Sequence, residues 1–161
     1  MAATSKTKPS ILGVVYRNTG TYGSPTWTSV SMVKDVTPNT PWDMVDASIR
    51  ASRVKLYAPT QQDFDITMNV LDNDSDAGVQ AFKAAANTAT PIDIMILDGP
   101  MSDEGVRGVR FHALFSQNQD QSIGNVNYNN FTCKPAFHSD GYPKYAVAGS
   151  GSAMTFTAPG A

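Results

Sequence analysis

The chain has 161 residues, 41% of them hydrophobic and 16% charged, which is enough length and apolar material for the core of one domain and too much for a disordered chain. A formal net charge of -2 provides no strongly basic face, so a nucleic-acid reader is excluded, and no apolar run reaches the roughly 20 residues of a membrane span. Residues 1–10 read as a flexible polar tail with two lysines and no apolar signal core, so synthesis in a cytoplasm is expected.

Residues 11–16, Ile-Leu-Gly-Val-Val-Tyr, form a short β-type run. Residues 18–25 are rich in Gly, Thr and Ser and read as a loop, after which residues 27–36 alternate as one half-buried strand. Residues 64–70 carry the clearest pattern in the chain. Phe64, Ile66, Met68 and Val70 face one way and Asp65, Thr67 and Asn69 the other, as in a strand covered on one side. Residues 77–87 are alanine-rich, with Val79, Phe82 and Ala86 at helical spacing and Asp74 or Ser75 placed to cap the first amides. Residues 91–97 read as a strand buried on both faces near its end, and 98–108 as a long connection. Residues 109–115 and 126–137 alternate again, with 117–125 as the loop of a hairpin, and 145–148 and 153–157 each add a short strand. The sum is about seven strands and one helix without an internal repeat, a mainly β domain built as an antiparallel sandwich or small barrel.

One stretch fits neither period. Residues 42–57, WDMVDASIRASRVKLY, follow a proline-rich approach and carry Asp43 and Asp46 early, then Arg50, Arg53 and Lys55 late. Apolar spacing there drifts from mixed to the period of two in Val54 and Leu56, so residues 40–60 are expected to form an extended arm that touches something outside its own core. Trp42 reads equally as a core residue or an interface anchor.

Chemistry-bearing constellations are sparse. His112 lies on the polar side of a strand and His138 in a turn beside Asp140, and neither has a second ligand at metal-binding spacing. The lone Cys133 excludes an intrachain disulfide, and its alternating apolar surroundings predict a buried, inert thiol. The run Asp72-Asn73-Asp74-Ser75-Asp76 imitates a calcium loop, but glycine comes at the seventh place and Lys83 stands where the bidentate glutamate belongs, so a helix start enriched in acids explains it better. Asn130-Phe131-Thr132 matches a glycosylation sequon by chance. Without a phosphate loop, nucleophile elbow or paired catalytic carboxylates, a protein with no enzymatic activity, cofactor or metal is expected.

The order of elements, together with Asp46-Ala47-Ser48-Ile49-Arg50, resembles the tail tube proteins of long-tailed bacteriophages, also called major tail proteins. These often carry Asp-Ala/Val-Ser/Thr-x-Arg in the arm, and Asp46, Ser48 and Arg50 match it. Residues 92–99 and the late strand 127–135, ending in Lys134-Pro135, also look like the family's, so the resemblance covers about residues 11–137. The C-terminal extension 138–161 departs from the pattern. The resemblance implies a virion protein of the phage tail whose partner is first of all itself, in homohexameric rings stacked into a hollow tube through which DNA passes without specific binding. Tape-measure, tail terminator and baseplate or tip proteins are the further partners it implies. Trp42, Asp43, Asp46, Ser48, Arg50, Arg53 and Lys55 become the candidate contacts between subunits. Two alternatives stand beside this reading: a type VI secretion tube protein of the same architecture, and a monomeric β-sandwich binding module.

Overall fold

The computed structural model describes residues 13–49, 54–123, 126–137 and 143–158. Its strands are β1 (Val14–Asn18), β2 (Trp27–Ser29), β3 (Val33–Asn39), β4 (Trp42–Asp46), β5 (Tyr57–Gln62), β6 (Asp65–Leu71), β7 (Ile92–Leu97), β8 (Arg107–Ile123), β9 (Val126–Pro135), β10 (Lys144–Ala148) and β11 (Met154–Thr157), with one α-helix, α1 (Ala77–Thr88), between β6 and β7. The mainly antiparallel β architecture with a single helix is therefore observed, with more strands than the sequence reading gave.

Nine strands join one branched sheet in the order β2-β1-β7-β8-β9-β6-β3, with β10 on β8 and β11 on β10. The expected strand over 27–36 is broken, because β2 pairs with β1 at one end of this sheet and β3 with β6 at the other. Residues 30–32 bridge those two ends. From Ser29 to Val33 the backbone reaches at most about 14 Å, whereas seven flat strands set their outer members about 29 Å apart. The sheet must therefore curl until its ends approach, and a Cβ placed on Gly13, just before β1, would lie 2.9 Å from Cβ of Val36 on β3. The interior of the curl holds Val15, Val30, Ile66, Met68, Val70, Ile94, Phe111, Phe131 and Cys133.

Helix α1 packs onto this interior. Its Val79, Phe82 and Ala85 are buried at spacings of three, and the Phe82 ring stacks on Phe115 (4.6 Å) and meets Phe131 edge-on (6.2 Å). The cap is Asp76, not Asp74 or Ser75: its Oδ1 accepts from the amides of Gly78 (2.8 Å) and Val79 (3.0 Å). Asp72 and Asp74 instead accept from Lys83, nearly two turns into the helix, and the Lys83 ammonium holds the Asp72 carboxyl below its ordinary range. These acids are thus spent on the helix start.

Strand β8 organises the rest. One of its edges carries β7 from Gly108 to Ala113, and the other carries first β10 and then β9. Gly108 sits where β7, β8 and β10 meet, and a Cβ there would come within 1.8 Å of the Ile96 carbonyl oxygen, so only glycine fits. The expected loop over 117–125 is corrected by this ladder, since β8 continues to Ile123 paired with β9. Strand β7 is buried on both faces as expected. Ile94 and Ile96 enter the main core, while Met95 and Leu97 join Tyr16, Val106, Ala146 and Ala148 in a second, smaller one. Cys133 is fully buried, its thiol donates to the Ile66 carbonyl at 3.3 Å, and burial pushes its pKa up to about 12.

Candidate functional site

The irregular stretch is a β-hairpin. Among the described residues, strands β4 and β5 pair with each other and with no other strand, from Trp42 opposite Gln62 to Asp46 opposite Tyr57, with an irregularity between Trp42 and Met44. Pairing begins where Asp63 N–H donates to the Pro41 carbonyl (2.9 Å) and runs beyond Asp46, where Ala47 N–H donates to the Leu56 carbonyl (2.8 Å). Asp46 and Ser48 then tie off the described end. The Asp46 carboxylate accepts from Ser48 N–H at 2.9 Å, and Ser48 Oγ accepts from Leu56 N–H at 2.9 Å. Hydrogen bonds from the Ser48 hydroxyl and then its amide hold the Asp46 carboxyl below its ordinary range.

What this hairpin exposes is apolar. Trp42 (52% exposed), Met44, Val45, Ile49, Val54, Leu56 and Tyr57 all stand in solvent, although side chains of these types are ordinarily buried. Met44 and Val45 are sequence neighbours on opposite faces of β4, so the hairpin is apolar on both sides. Contiguous exposed apolar surface of this kind is characteristic of interaction sites. Of the candidate contacts, Trp42, Asp43, Asp46, Ser48 and Lys55 come together on this exposed arm, and Trp42 is no part of the core. Arg50 and Arg53 lie outside the described residues, as does His138.

Sequence reasoning missed a second cluster, on the body. Arg110, 4% exposed, and Asp93 form a two-pronged ion pair across β8 and β7, Nε to Oδ1 at 3.1 Å and Nη2 to Oδ2 at 2.7 Å. The guanidinium lies 3.9 Å from the Tyr22 ring centroid and 4.7 Å from that of Phe156, donates to the Tyr22 carbonyl, and so ties the β1–β2 loop and β11 to the sheet. Asp93 is the one charge in an otherwise apolar strand, whereas Arg110 shares β8 with Arg107 and many polar residues, so only half of the pair stood out in the sequence. Beside them an open depression of about 320 Å³ is lined by Asn18, Asp93, Ile92, Tyr22 and His112, the last two stacked at 5.0 Å. Both Asp93 oxygens already accept, from Arg110 and from Asn18 (2.8 Å), which leaves this carboxylate no role as a base. Among the described residues no group of three or more His, Cys, Asp or Glu is placed to hold a metal, and no helix is long and apolar enough to cross a membrane.

No family model matches the sequence, and no curated protein does. Solved structures match the fold. A chain from the tail of an empty gene transfer agent particle, refined with C6 symmetry, superposes with a TM-score of 0.57 at 12% identity, covering 91% of this chain and 96% of that one. A chain from the virion of a native gene transfer agent particle gives 0.56 at 11% identity over 91% and 96%. A chain from the sixfold-symmetrised baseplate of an anti-feeding prophage gives 0.52 at 10% identity over 83% and 93%. At these identities the likeness is one of fold, and it agrees with the family that the arm motif pointed to: this chain has the fold of tail and baseplate subunits of phage-like particles.

Proposed function

We propose that the chain is a structural subunit of a phage-type tail tube, assembling with copies of itself into rings that stack into a hollow conduit for DNA, and that it works without enzymatic chemistry. The observation that carries this reading is the β4–β5 arm, a paired hairpin whose exposed apolar side chains leave the subunit incomplete on its own. Its Trp42, Asp43, Asp46, Ser48, Arg50, Arg53 and Lys55 form the contact between subunits, with the charges fixing register around an apolar centre.

Two further features support it. Beyond Ala113 the β8 edge opposite β9 has no strand partner among the described residues, and a neighbouring subunit finds there a strand to pair with. The side of β6 and β9 turned away from the core carries the polar Thr67, Asn69, Asn130 and Thr132, and at its end Lys134 is paired with Asp65 and Asp63, so this face offers little net positive charge to hold DNA. The sixfold symmetry of the similar particles makes a hexameric ring the working model, with tape-measure, terminator and baseplate proteins as partners in the tail of a virion. Negative-stain imaging and light scattering of the purified protein test the reading. Rings or tubes are expected, and a 17.2 kDa monomer that persists at high concentration counts against it.

A further inference from the structure

Part of the sheet forms a second curl. The path β2-β1-β7-β8 continues through β10 to β11, and laid flat it would hold its outer strands about 24 Å apart. Instead Trp27 on β2 and Phe156 on β11 meet with ring centroids 6.2 Å apart. The face turned inward is the one opposite the main core, and it holds Tyr16, Met95, Leu97, Val106, Ala146 and Ala148, with Trp27, Met154 and Phe156 packed against them. Among the described residues β2 and β11 are not paired with each other, so side chains close this seam.

Arg110 stands at the seam. Its guanidinium carbon lies 3.9 Å from the ring centroid of Tyr22 in the β1–β2 loop, 5.1 Å from that of Trp27 and 4.7 Å from that of Phe156, while its nitrogens donate to Asp93 on β7 and to the Tyr22 carbonyl. Lys144 on β10 brings a second cation 5.1 Å from the same Tyr22 ring. The hairpin of β10 and β11 is otherwise lightly held. Four register pairs join β10 to β8, followed by hydrogen bonds from Ala148 N–H to the Val106 carbonyl and from Gly105 N–H to the Ala148 carbonyl, both 2.8 Å. Its buried side chains are two alanines, Ala146 and Ala148, whereas the main core encloses Phe82, Phe111, Phe115 and Phe131. Because buried apolar area sets the cost of opening a segment, this hairpin lifts away far more readily than the main core unfolds.

We propose that the β10–β11 hairpin and the β1–β2 loop, residues 19–26, form one strap latched by Arg110, which opens and closes as a unit over a body that stays folded. Opening bares the β8 edge from Arg107 to Arg110, in line with the edge that β9 holds, and uncovers Met95 and Leu97. The closed strap is thus a cap on a strand edge that would otherwise accept a foreign strand. A single chain suffices for this device, so it stands or falls apart from the assembly reading.

Native-state hydrogen exchange of the full chain, read amide by amide, tests it. The amides of Ala148 and Gly105, and that of Thr19, which donates to the Thr26 carbonyl, are expected to share one opening constant, about tenfold or more above that of amides in the β6–β9 ladder. Phe156→Ala is expected to speed exchange at all three by a common factor of about tenfold and to leave β6 and β9 unchanged. Tyr22→Ala, on the loop side, is expected to produce the same pattern, including at Ala148 on the hairpin. Phe156→Leu keeps apolar bulk without the ring face, gives a smaller increase of the same pattern, and covers the case in which the alanine variant does not fold. If the three amides exchange only together with β6 and β9, there is no separate opening and the proposal fails. It fails equally if the ring variants do not accelerate hairpin and loop together, since the two then share no latch.

Discussion

The body and the arm are built from the same kinds of residue and treat them in opposite ways. In β6, Ile66, Met68 and Val70 alternate with polar neighbours, and every apolar member is buried beneath α1 and the curled sheet. In β4, Trp42, Met44 and Val45 are no less apolar, yet all three are exposed, because no second layer among the described residues lies against the hairpin. Burial of apolar surface contributes about 25 cal/mol per Å² only where something covers it. The body therefore holds its stability within one subunit, and the exposed apolar surface of the arm contributes little to it.

That division is open to breakage from either side. Gly108→Val drives a side chain into the Ile96 backbone at the junction of three strands, and a loss of about 3 kcal/mol or more is expected, read as failure to give a folded monomer or as a large fall in the denaturation midpoint. Arg110→Ala leaves Asp93 charged, buried and short of two hydrogen bonds, for an expected cost of about 3–5 kcal/mol. Replacing both partners, Asp93→Leu with Arg110→Met, is expected to recover most of that in the same denaturant titration, which separates the harm of an orphaned charge from the worth of the pair. Asp76→Ala removes the acceptor of two helix amides and is expected to cost about 1 kcal/mol. At the arm the order inverts. Trp42→Ser is expected to change monomer stability by no more than about 0.5 kcal/mol, since the side chain is already in water, while abolishing the particles seen by electron microscopy. A large fall in monomer stability with this variant would erase the distinction.

Local pattern made the body legible in part. The alternation of β6 and the spacing of Val79 and Phe82 are each dictated by a covering layer, so the sequence carries their period openly. The second half of β8 was unreadable for the opposite reason. Ser116 and Gln117 have no apolar rhythm, and strand geometry is imposed on that stretch by the β9 ladder beside it. The expected cap, Asp74 or Ser75, falls one or two residues short of the observed one because Asp74, Ser75 and Asp76 are all chemically suited to it; only the extended backbone of Asp76 (φ -87°, ψ 116°) selects one. The break between β2 and β3 depends on pairings far apart in the chain, as does the Asp93–Arg110 pair, and no window of a few residues contains either. The arm stood out as a place where local rules failed, and the structure shows a hairpin whose apolar side chains are exposed among the described residues.

The order of strands also sets a timetable for synthesis. Val14 pairs with Leu97, and β8 receives its last partner only when residues 144–148 have been made. At roughly 5–20 residues per second, β1 waits on the order of several seconds for β7, and β6 waits a comparable span for β9. The hairpin of β4 and β5 closes locally and is complete long before either. The stickiest surface of the nascent chain is therefore finished first, while the domain that anchors it is still unformed. Early encounters between arms on neighbouring ribosomes are the hazard of this arrangement, and the charges interspersed on the arm, Asp43, Asp46 and Lys55, are placed to discourage them.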